Sequence, residues 1–246
     1  MSELVITANH PKTYMGYQAL ASAFRGKVEA GEWPIGGAIP SEASLAKEFG
    51  VAVGTIRQAI AQLAEEGMLV KRHGKSTEVS SGLNGQSMLR FFRYQLDDQR
   101  QLAPQAKVLS LKTVALDKEV AAATNWACKS LLKMHRVRMI NHKPVLYETI
   151  YLPLPKFKKL STFKPNDFEE LLYPMYAKQF KVAVIKATDQ VGFELMKKIE
   201  ANALNMREGH PAVRVRRVAY DLTGKPVEYR SSVGDAMAFQ YFAEVR

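Results

Sequence analysis

Apolar residues recur at intervals of three and four positions in two short segments of the amino-terminal third of the chain. In the first segment, Leu45, Ala46 and Phe49 share one helical face. Ser41 is placed to cap the start of this helix, and Gly50 is placed to end it. The pattern predicts a short amphipathic helix that ends in a tight turn.

The second segment covers residues 53–66 and stops at Gly67. Its apolar face is formed by Ile56, Ala59, Ile60 and Leu63. The period then changes to two in residues 68–72, a turn follows at residues 73–75, and residues 76–79 return as a second strand. A further amphipathic helix is predicted over residues 15–30, where it would pack across the first two.

This order of elements predicts a winged helix-turn-helix. The second helix fits the major groove of B-form DNA, and the hairpin carries Lys71, Arg72 and Lys75 toward the phosphates. Helical periodicity alone is equally typical of a small domain whose helices only pack on one another. The combination of two helices, a tight turn and a basic hairpin favours DNA binding.

Four short motifs carry a family resemblance. They are IPSE at residues 39–42, LA at 45–46, TIR at 55–57 and EGML at 66–69. Residues 17–79 resemble the DNA-binding domain of the GntR family of bacterial transcription regulators. The resemblance implies that Thr55, Arg57, His73 and Gly74 face DNA.

The chain departs from the family pattern at two places. Ala43 stands where the family usually has an Arg, and Ala52, Val53 and Gly54 stand where it usually has Ser-Arg-Thr. These small and apolar side chains cannot donate hydrogen bonds to base edges. We therefore expect base preferences that differ from those typical of the family.

The remainder of the chain reads as mixed helix and strand, so the fold class is α+β. A polar, glycine-containing stretch over residues 80–87 indicates a connection between domains. The predicted organisation is a DNA-binding domain at 1–80, a linker at 81–88 and a second domain at 89–246. Strands are expected at 107–116, 133–140, 145–152, 213–220 and 227–233, and helices at 119–127, 167–179 and 193–204.

The second half carries its own resemblance in HRVR at residues 135–138, KPVLYE at 143–148 and DLTGKPVEY at 221–229. These segments resemble the UTRA effector domain of the HutC subfamily, which has a fold like that of chorismate lyase. The resemblance implies dimerisation and a pocket for a small, often anionic, metabolite. The matching positions are Arg136, Arg138, Glu148 and Tyr229, with Arg230 adjacent.

The chemistry of these residues suits an anion. Alternate residues of a strand point the same way, so Arg136 and Arg138 are expected to converge. Guanidinium groups grip carboxylate or phosphate through paired hydrogen bonds, and Glu148 can accept bonds from hydroxyl groups. Without the resemblance, an exposed basic strand and a surface salt bridge would explain the same residues.

Charge and composition place limits on function. Residues 1–82 hold eight Lys or Arg and eight Asp or Glu, so the whole excess of +11 lies in the second half. The single cysteine, Cys128, excludes an internal disulfide. No export signal or apolar run of about 18 residues is present, which predicts a cytoplasmic protein without a membrane partner.

No catalytic, metal-binding or cofactor-binding motif is found among the five histidines or the glycine-rich stretches. The sequence therefore predicts a non-enzymatic transcription regulator. We expect a homodimeric repressor that binds a palindromic operator in double-stranded DNA and responds to a small anionic effector. The alternative is a small lyase-like enzyme or ligand-binding module built on the second domain, because fold alone does not decide function.

Overall fold

The computed structural model describes residues 16–71, 76–82 and 105–238 of the 246-residue chain. The chain divides into two compact units, Met1–Val79 and Ser80–Arg246. The first unit is mainly helical, and the second is built on one antiparallel sheet with helices packed on it. The α+β fold class predicted from the sequence is thereby confirmed. None of the described helices is long and apolar enough to cross a membrane.

Three helices and a two-stranded hairpin build the amino-terminal unit. They are α1 (Tyr17–Glu29), α2 (Glu42–Phe49), α3 (Val53–Glu65), β1 (Leu69–Lys71) and β2 (Thr77–Val79). The strands pair antiparallel, and Ala38 adds a single bridge to Glu78. The predicted helices and both arms of the hairpin are confirmed. The predicted turn at residues 73–75 lies outside the described residues.

Local signals set the ends of α2. Ser41 accepts a hydrogen bond at its Oγ from the backbone N of Ser44 at 3.1 Å, which satisfies one of the unpaired amides of the first turn. Gly50 closes the helix with a φ of +64°, a left-handed conformation that costs glycine little. The chain can then turn sharply into α3.

The core of the first unit lies between α1 and the α2–α3 pair. Phe24 of α1 is fully buried, with ring centroids 5.1 Å from Trp33 and 5.4 Å from Phe49. Ile56 and Leu63 of α3 are also fully buried. Because α3 turns its apolar stripe inward, its polar face is left exposed.

Six strands form the sheet of the second unit, and helices connect several of them. In chain order they are β3 (Gln105–Ala115), α4 (Lys118–Thr124), β4 (Ser130–Ile140), β5 (Lys143–Pro153), α5 (Leu154–Phe157), α6 (Leu172–Phe180), β6 (Val184–Leu195), α7 (Lys198–Leu204), β7 (Pro211–Asp221) and β8 (Pro226–Asp235). Two 3-10 turns, Lys158–Thr162 and Pro165–Asp167, lie between α5 and α6. All neighbouring strands run antiparallel in the order β3-β4-β5-β8-β7-β6.

Both faces of this sheet are covered. On one face, α6 packs over a core that includes Met134, Ile150 and Tyr176. On the other face, α7 covers Tyr147 and Val233, and α4 brings Val120 over the neighbouring strands. Side chains of successive residues alternate between these two environments, which is why the strands are long and only partly apolar.

The sequence prediction for residues 193–204 is partly wrong. Residues 193–195 end strand β6, and the helix begins only at Lys198. The prediction also missed the rest of β6, whose polar residues Lys186, Thr188 and Gln190 alternate with less exposed ones. The helix expected at 167–179 begins later, at Leu172, after a 3-10 turn.

The predicted linker begins within the second unit. Gly82 lies so close to the start of β6 that an added Cβ would be 2.7 Å from the carbonyl O of Val184. Its φ of +77° also favours glycine. Residues 81 and 82 are therefore packed, whereas residues 83–88 of the predicted linker lie outside the described residues.

Candidate functional site

The first turn of α3 presents an exposed surface. Val53 and Gly54 are exposed, Thr55 is half-buried, and Arg57 and Gln58 point to solvent. No acidic residue lies in this turn, so its unpaired amides and the helix dipole attract anions such as phosphate. The sequence reasoning had missed Gln58, whose amide is a suitable partner for adenine. Its position one residue after Arg57 was the available signal.

Arg57 is held by an acidic neighbour on α2. Its Nε donates to Glu42 Oε2 at 2.5 Å, with the two side chains 66% and 30% exposed. An exposed pair of this kind contributes little to stability. The Arg57 side chain is thus directed toward α2, and Glu42 has to release it before it can contact a phosphate.

The hairpin places one predicted basic contact within the described residues. Lys71 is exposed at the end of β1, opposite Thr77 of β2. The other predicted contacts, Arg72, His73, Gly74 and Lys75, lie outside the described residues. Of the predicted DNA contacts, Thr55, Arg57 and Lys71 lie within the described residues.

The second unit brings four of its five predicted effector residues together on one face of the sheet. Arg136 lies directly opposite Glu148 across β4 and β5, and Ile150 lies opposite Arg230 across β5 and β8. Arg138 follows Arg136 on the same side of β4. We call this side of the sheet the arginine face.

Glu148 is the centre of the polar contacts on the arginine face. Its Oε2 accepts from Arg136 Nε at 2.5 Å, and its Oε1 accepts from Arg230 Nη1 at 3.1 Å and from Ser232 Oγ at 3.3 Å. All these side chains are buried. Arg138 Nη1 donates to the carbonyl O of Glu170 at 2.6 Å.

A second buried carboxylate, Glu228, completes what we call the arginine cluster: Arg136, Arg138, Arg230, Glu148 and Glu228. Glu228 Oε1 accepts from Arg230 Nη2 at 2.7 Å. Tyr176 of α6 donates to Glu228 Oε2 at 2.8 Å, and Tyr173 donates to Oε1 at 3.2 Å. The sequence reasoning missed Glu228, although it stands two residues before Arg230 on one strand.

Buried charges shape the electrostatics of the arginine cluster. Arg136 and Arg230 contact Glu148, Arg230 also contacts Glu228, and Arg138 is attracted to both Glu148 and Glu170. Burial raises the pKa of Glu148, but Arg136, Arg230 and Arg138 outweigh it and hold that pKa well below its usual value. Burial lowers the pKa of Arg138 to about 10. Arg138 therefore remains charged at neutral pH.

Arg136 brings to the cluster a hydrogen-bond donor that is unused within the described part of the chain. Arg136 Nη1 is buried and has no hydrogen-bond partner among residues 16–71, 76–82 and 105–238. A buried donor without a partner is costly, because water has been removed and nothing replaces it. An anionic ligand is one group that can accept this bond.

Tyr229 does not join the other four predicted residues, and this expectation is corrected. It precedes Arg230 on β8, so its side chain points to the opposite face of the sheet. There its hydroxyl donates to Glu119 Oε1 at 2.7 Å. It lines a separate cavity of about 460 Å³ with Glu119, Arg216 and Gln190. Tyr229 and the arginine cluster therefore cannot line one pocket.

Comparison with known proteins identifies both units. Residues 16–79 match the family described as bacterial regulatory proteins of the gntR family, and residues 99–240 match the UTRA domain. The UTRA match covers more than half of the chain. The chain belongs to the GntR family of regulators with a UTRA domain. Its combination of domains is that of a HutC-type regulator.

Similar full-length proteins support this assignment. The HTH-type transcriptional repressor NagR of Bacillus subtilis is 24% identical over 93% of this chain and 94% of its own length. The repressor MngR of the mannosyl-D-glycerate transport and metabolism system of Escherichia coli is 27% identical over 87% and 88%. The crystal structure of PhnF from Mycobacterium smegmatis shares the fold, with a TM-score of 0.53, 21% identity and coverage of 94% and 99%. This chain is therefore a DNA-binding transcription regulator.

Proposed function

We propose that this regulator is a cytoplasmic, homodimeric repressor whose affinity for a palindromic operator changes when a small anionic metabolite binds the arginine cluster. The observation that carries the proposal is the buried Arg136 Nη1, which has no hydrogen-bond partner among the described residues and lies within a cluster of buried guanidinium groups. The boundary between the two units at residue 80 and the effector-binding roles of Arg136, Arg138, Glu148 and Arg230 form part of this proposal.

An anion is the ligand class that the arginine cluster fits. Desolvated guanidinium groups are costly unless acceptors and negative groups surround them, and Arg136 Nη1 is buried without an acceptor in the described part of the chain. A phosphate or carboxylate supplies negative charge and hydrogen-bond acceptors for Arg136. The name of the related repressor MngR refers to mannosyl-D-glycerate, a sugar derivative that carries a carboxylate. Sugar acids and sugar phosphates are therefore the first ligands to test.

Thr55, Arg57 and Lys71 form the DNA-binding surface in this proposal, together with Arg72, His73, Gly74 and Lys75, for which the sequence predicts a turn. A dimer presents two copies of this surface, and the two-fold symmetry of the protein is mirrored by a palindromic operator. An effector shifts operator affinity only by the difference between its affinities for the two arrangements of the dimer. We propose repression rather than activation because the related proteins NagR and MngR are both named repressors.

The proposal is tested by a thermal-shift screen of sugar phosphates, sugar acids and amino acids, followed by titration of each stabilising compound into an operator complex. A ligand at 100 times its Kd stabilises the folded state by about 2.7 kcal/mol, which is readily detected. We expect Arg136→Lys, which keeps the charge but loses the paired donors, to weaken binding. Tyr229→Phe on the opposite face is the matched control and retains it.

The same experiment separates a regulator from an enzyme. We propose that the protein leaves its ligand chemically unchanged, which is checked by mass spectrometry of the ligand after prolonged incubation. Turnover of the ligand without any effect on DNA affinity would support a lyase-like activity instead. Retention of ligand binding in Arg136→Lys and loss in Tyr229→Phe would move the effector site to the opposite face of the sheet.

A further inference from the structure

The face of the sheet opposite the arginine face carries a cavity that the proposed effector site does not use. It lies between α4 and strands β6, β7 and β8, and its volume is about 460 Å³. This volume falls within the range of about 300–1,000 Å³ that is typical of small-molecule sites. The cavity is therefore large enough to hold a small metabolite.

An ion pair forms the polar wall of the cavity. Arg216 of β7 donates from Nε to Glu119 Oε1 of α4 at 3.0 Å, and Tyr229 of β8 donates from its hydroxyl to the same oxygen at 2.7 Å. The hydrogen bond from Tyr229 lowers the pKa of Glu119, so this carboxylate is ionised at neutral pH. Two neighbouring strands thus hold the carboxylate of α4 in one position.

Each ion of this pair has polar atoms left for a ligand. Glu119 Oε2 accepts no hydrogen bond from the residues that the structure describes, and the Nη atoms of Arg216 donate none within the same part of the chain. Arg216 Nη2 lies 3.9 Å from Glu194 Oε2, which is too far for a hydrogen bond. The side chains of Arg216 and Glu119 are 34% and 64% exposed, so solvent can be exchanged for a ligand at both.

The remaining wall of the cavity is largely apolar. Val218 and Tyr229 line it and belong to a packed cluster with Val120, so this part of the wall is fixed. Ala122 and Ala123 of α4 line the cavity from exposed positions, and their small side chains leave room beside the helix. An apolar group of a ligand would replace water along this surface.

We propose that this cavity binds a free α-amino acid with an apolar side chain. Glu119 Oε2 accepts from the ammonium group, the Nη atoms of Arg216 donate to the carboxylate, and the side chain lies against Ala122, Ala123 and Val218. The ammonium and carboxylate groups of an amino acid are attached to one carbon atom, and the side chains of Glu119 and Arg216 are likewise adjacent. This site is separate from the proposed effector site and does not depend on it.

The charges of the wall disfavour ligands that carry a single charge. An anion bound to Arg216 lies beside the ionised Glu119, and a cation bound to Glu119 lies beside Arg216, so a like charge opposes binding in both cases. An amino acid meets an opposite charge at both of its ionised groups. Asp189 also borders the cavity, but its carboxylate is held by Arg217 on the arginine face at 2.7 and 2.6 Å.

The cavity and the arginine cluster share strands but not side chains. Tyr229 precedes Arg230 on β8, and Arg216 precedes Arg217 on β7. Successive residues of a strand point to opposite faces of the sheet. Substitutions at the two sites can therefore be used to test them separately.

Isothermal titration calorimetry with the full chain tests the class of ligand. The probes are L-alanine, L-valine, L-leucine and L-phenylalanine. The tightest binder is compared with the carboxylic acid that lacks its ammonium group and with the amine that lacks its carboxylate. We expect each analogue to bind at least about tenfold more weakly, because it loses a charge-assisted hydrogen bond. Equal binding of either analogue, or no binding of any probe at millimolar concentration, would overturn the inference.

Substitutions in the wall locate the bound amino acid. Glu119→Gln keeps an acceptor for Tyr229 but removes the negative charge, and it should raise the Kd about tenfold or more. Ala122→Phe fills the cavity from an exposed position and should abolish binding. The matched control is Ala127→Phe, which adds the same ring at an exposed position outside the cavity wall and should leave the Kd unchanged. Circular dichroism shows whether each variant keeps its fold.

Arg136→Lys distinguishes this site from the arginine cluster. It alters the proposed effector site on the opposite face and should leave the Kd for the amino acid unchanged. Loss of amino acid binding in Arg136→Lys with retention in Glu119→Gln would place the ligand in the arginine cluster and overturn the inference. Unchanged binding in both Glu119→Gln and Ala122→Phe would overturn it as well.

Discussion

Arg136 and Glu148 form a buried ion pair between the neighbouring strands β4 and β5 of the second unit. Arg136 Nε lies 2.5 Å from Glu148 Oε2, and the two side chains are 2% and 5% exposed. Such a pair contributes little net stability, because desolvation consumes most of its attraction. Removal of one partner is strongly destabilising, because it leaves a buried charge without compensation.

We predict that Glu148→Ala lowers the free energy of unfolding by about 3–5 kcal/mol. The double variant Arg136→Met/Glu148→Ala should lose less than the sum of the two single changes, because it removes both members of the pair. Unfolding in urea gives these values. Arg25→Ala is the control, because Arg25 forms an exposed pair with Glu66 and should cost less than about 1 kcal/mol. Additive losses would show that Arg136 and Glu148 are not coupled.

The ion pair also predicts how stability depends on pH. Because the pKa of Glu148 is lower in the folded protein than in the unfolded chain, the folded state holds this carboxylate ionised while the unfolded state binds a proton. The stabilisation is complete above the unfolded pKa of about 4.3 and is lost as pH falls below it. The free energy of unfolding of the wild type should fall more steeply below about pH 5 than that of Glu148→Gln. Parallel curves would contradict this assignment.

The amino-terminal unit was predicted well because its signals are local. Ser41 and Gly50 define the ends of α2 through contacts within a few residues, and the apolar stripe of α3 follows from its own periodicity. The recognisable GntR motifs lie on these same elements. Prediction from one sequence succeeds where propensity, capping and packing agree.

The second unit was harder to predict because its arrangement depends on pairing between distant strands. Edge strand β6 was missed, since its exposed Phe193 and Leu195 precede Met196 and Ile199 at intervals that also suit a helix. Tyr229 was placed with Arg136, although strand alternation puts it on the face opposite its neighbour Arg230. Glu228 was missed because its partners, Tyr173 and Tyr176, come from a helix more than fifty residues away.

A further prediction concerns the acidic residue that holds Arg57. We expect Arg57→Ala to weaken operator binding and to reduce the slope of log K against log salt by about one, as for the loss of one phosphate contact. Glu42→Gln should have the reverse effect on affinity, because it releases Arg57 and removes a negative charge near the DNA. Fluorescence anisotropy over a range of salt concentrations measures both quantities.

The control for these variants is Arg25→Ala on α1, where an arginine of the same unit is also paired with a glutamate. It should leave the salt slope unchanged. Circular dichroism shows whether each variant keeps its helices. Normal operator affinity in Arg57→Ala, or weaker binding in Glu42→Gln, would remove Arg57 from the DNA-binding surface.

The last prediction concerns base preference. The exposed start of α3 carries Val53 and Gly54, and α2 exposes Ala43, so none of these three positions offers a side-chain hydrogen-bond donor. Each paired contact from arginine to guanine contributes about 1–3 kcal/mol of discrimination. Selection from random DNA should therefore yield half-sites with weaker guanine preference at the corresponding positions than those typical of the family. Introducing a donor by Val53→Arg should sharpen the preference for guanine at one position in each half-site.

Gln58→Ala should instead relax preference at a neighbouring position while leaving the salt slope unchanged, because an uncharged amide releases no counterion. A sharp family-typical palindrome recovered with the unaltered protein would show that other residues, beyond these three positions, read the bases.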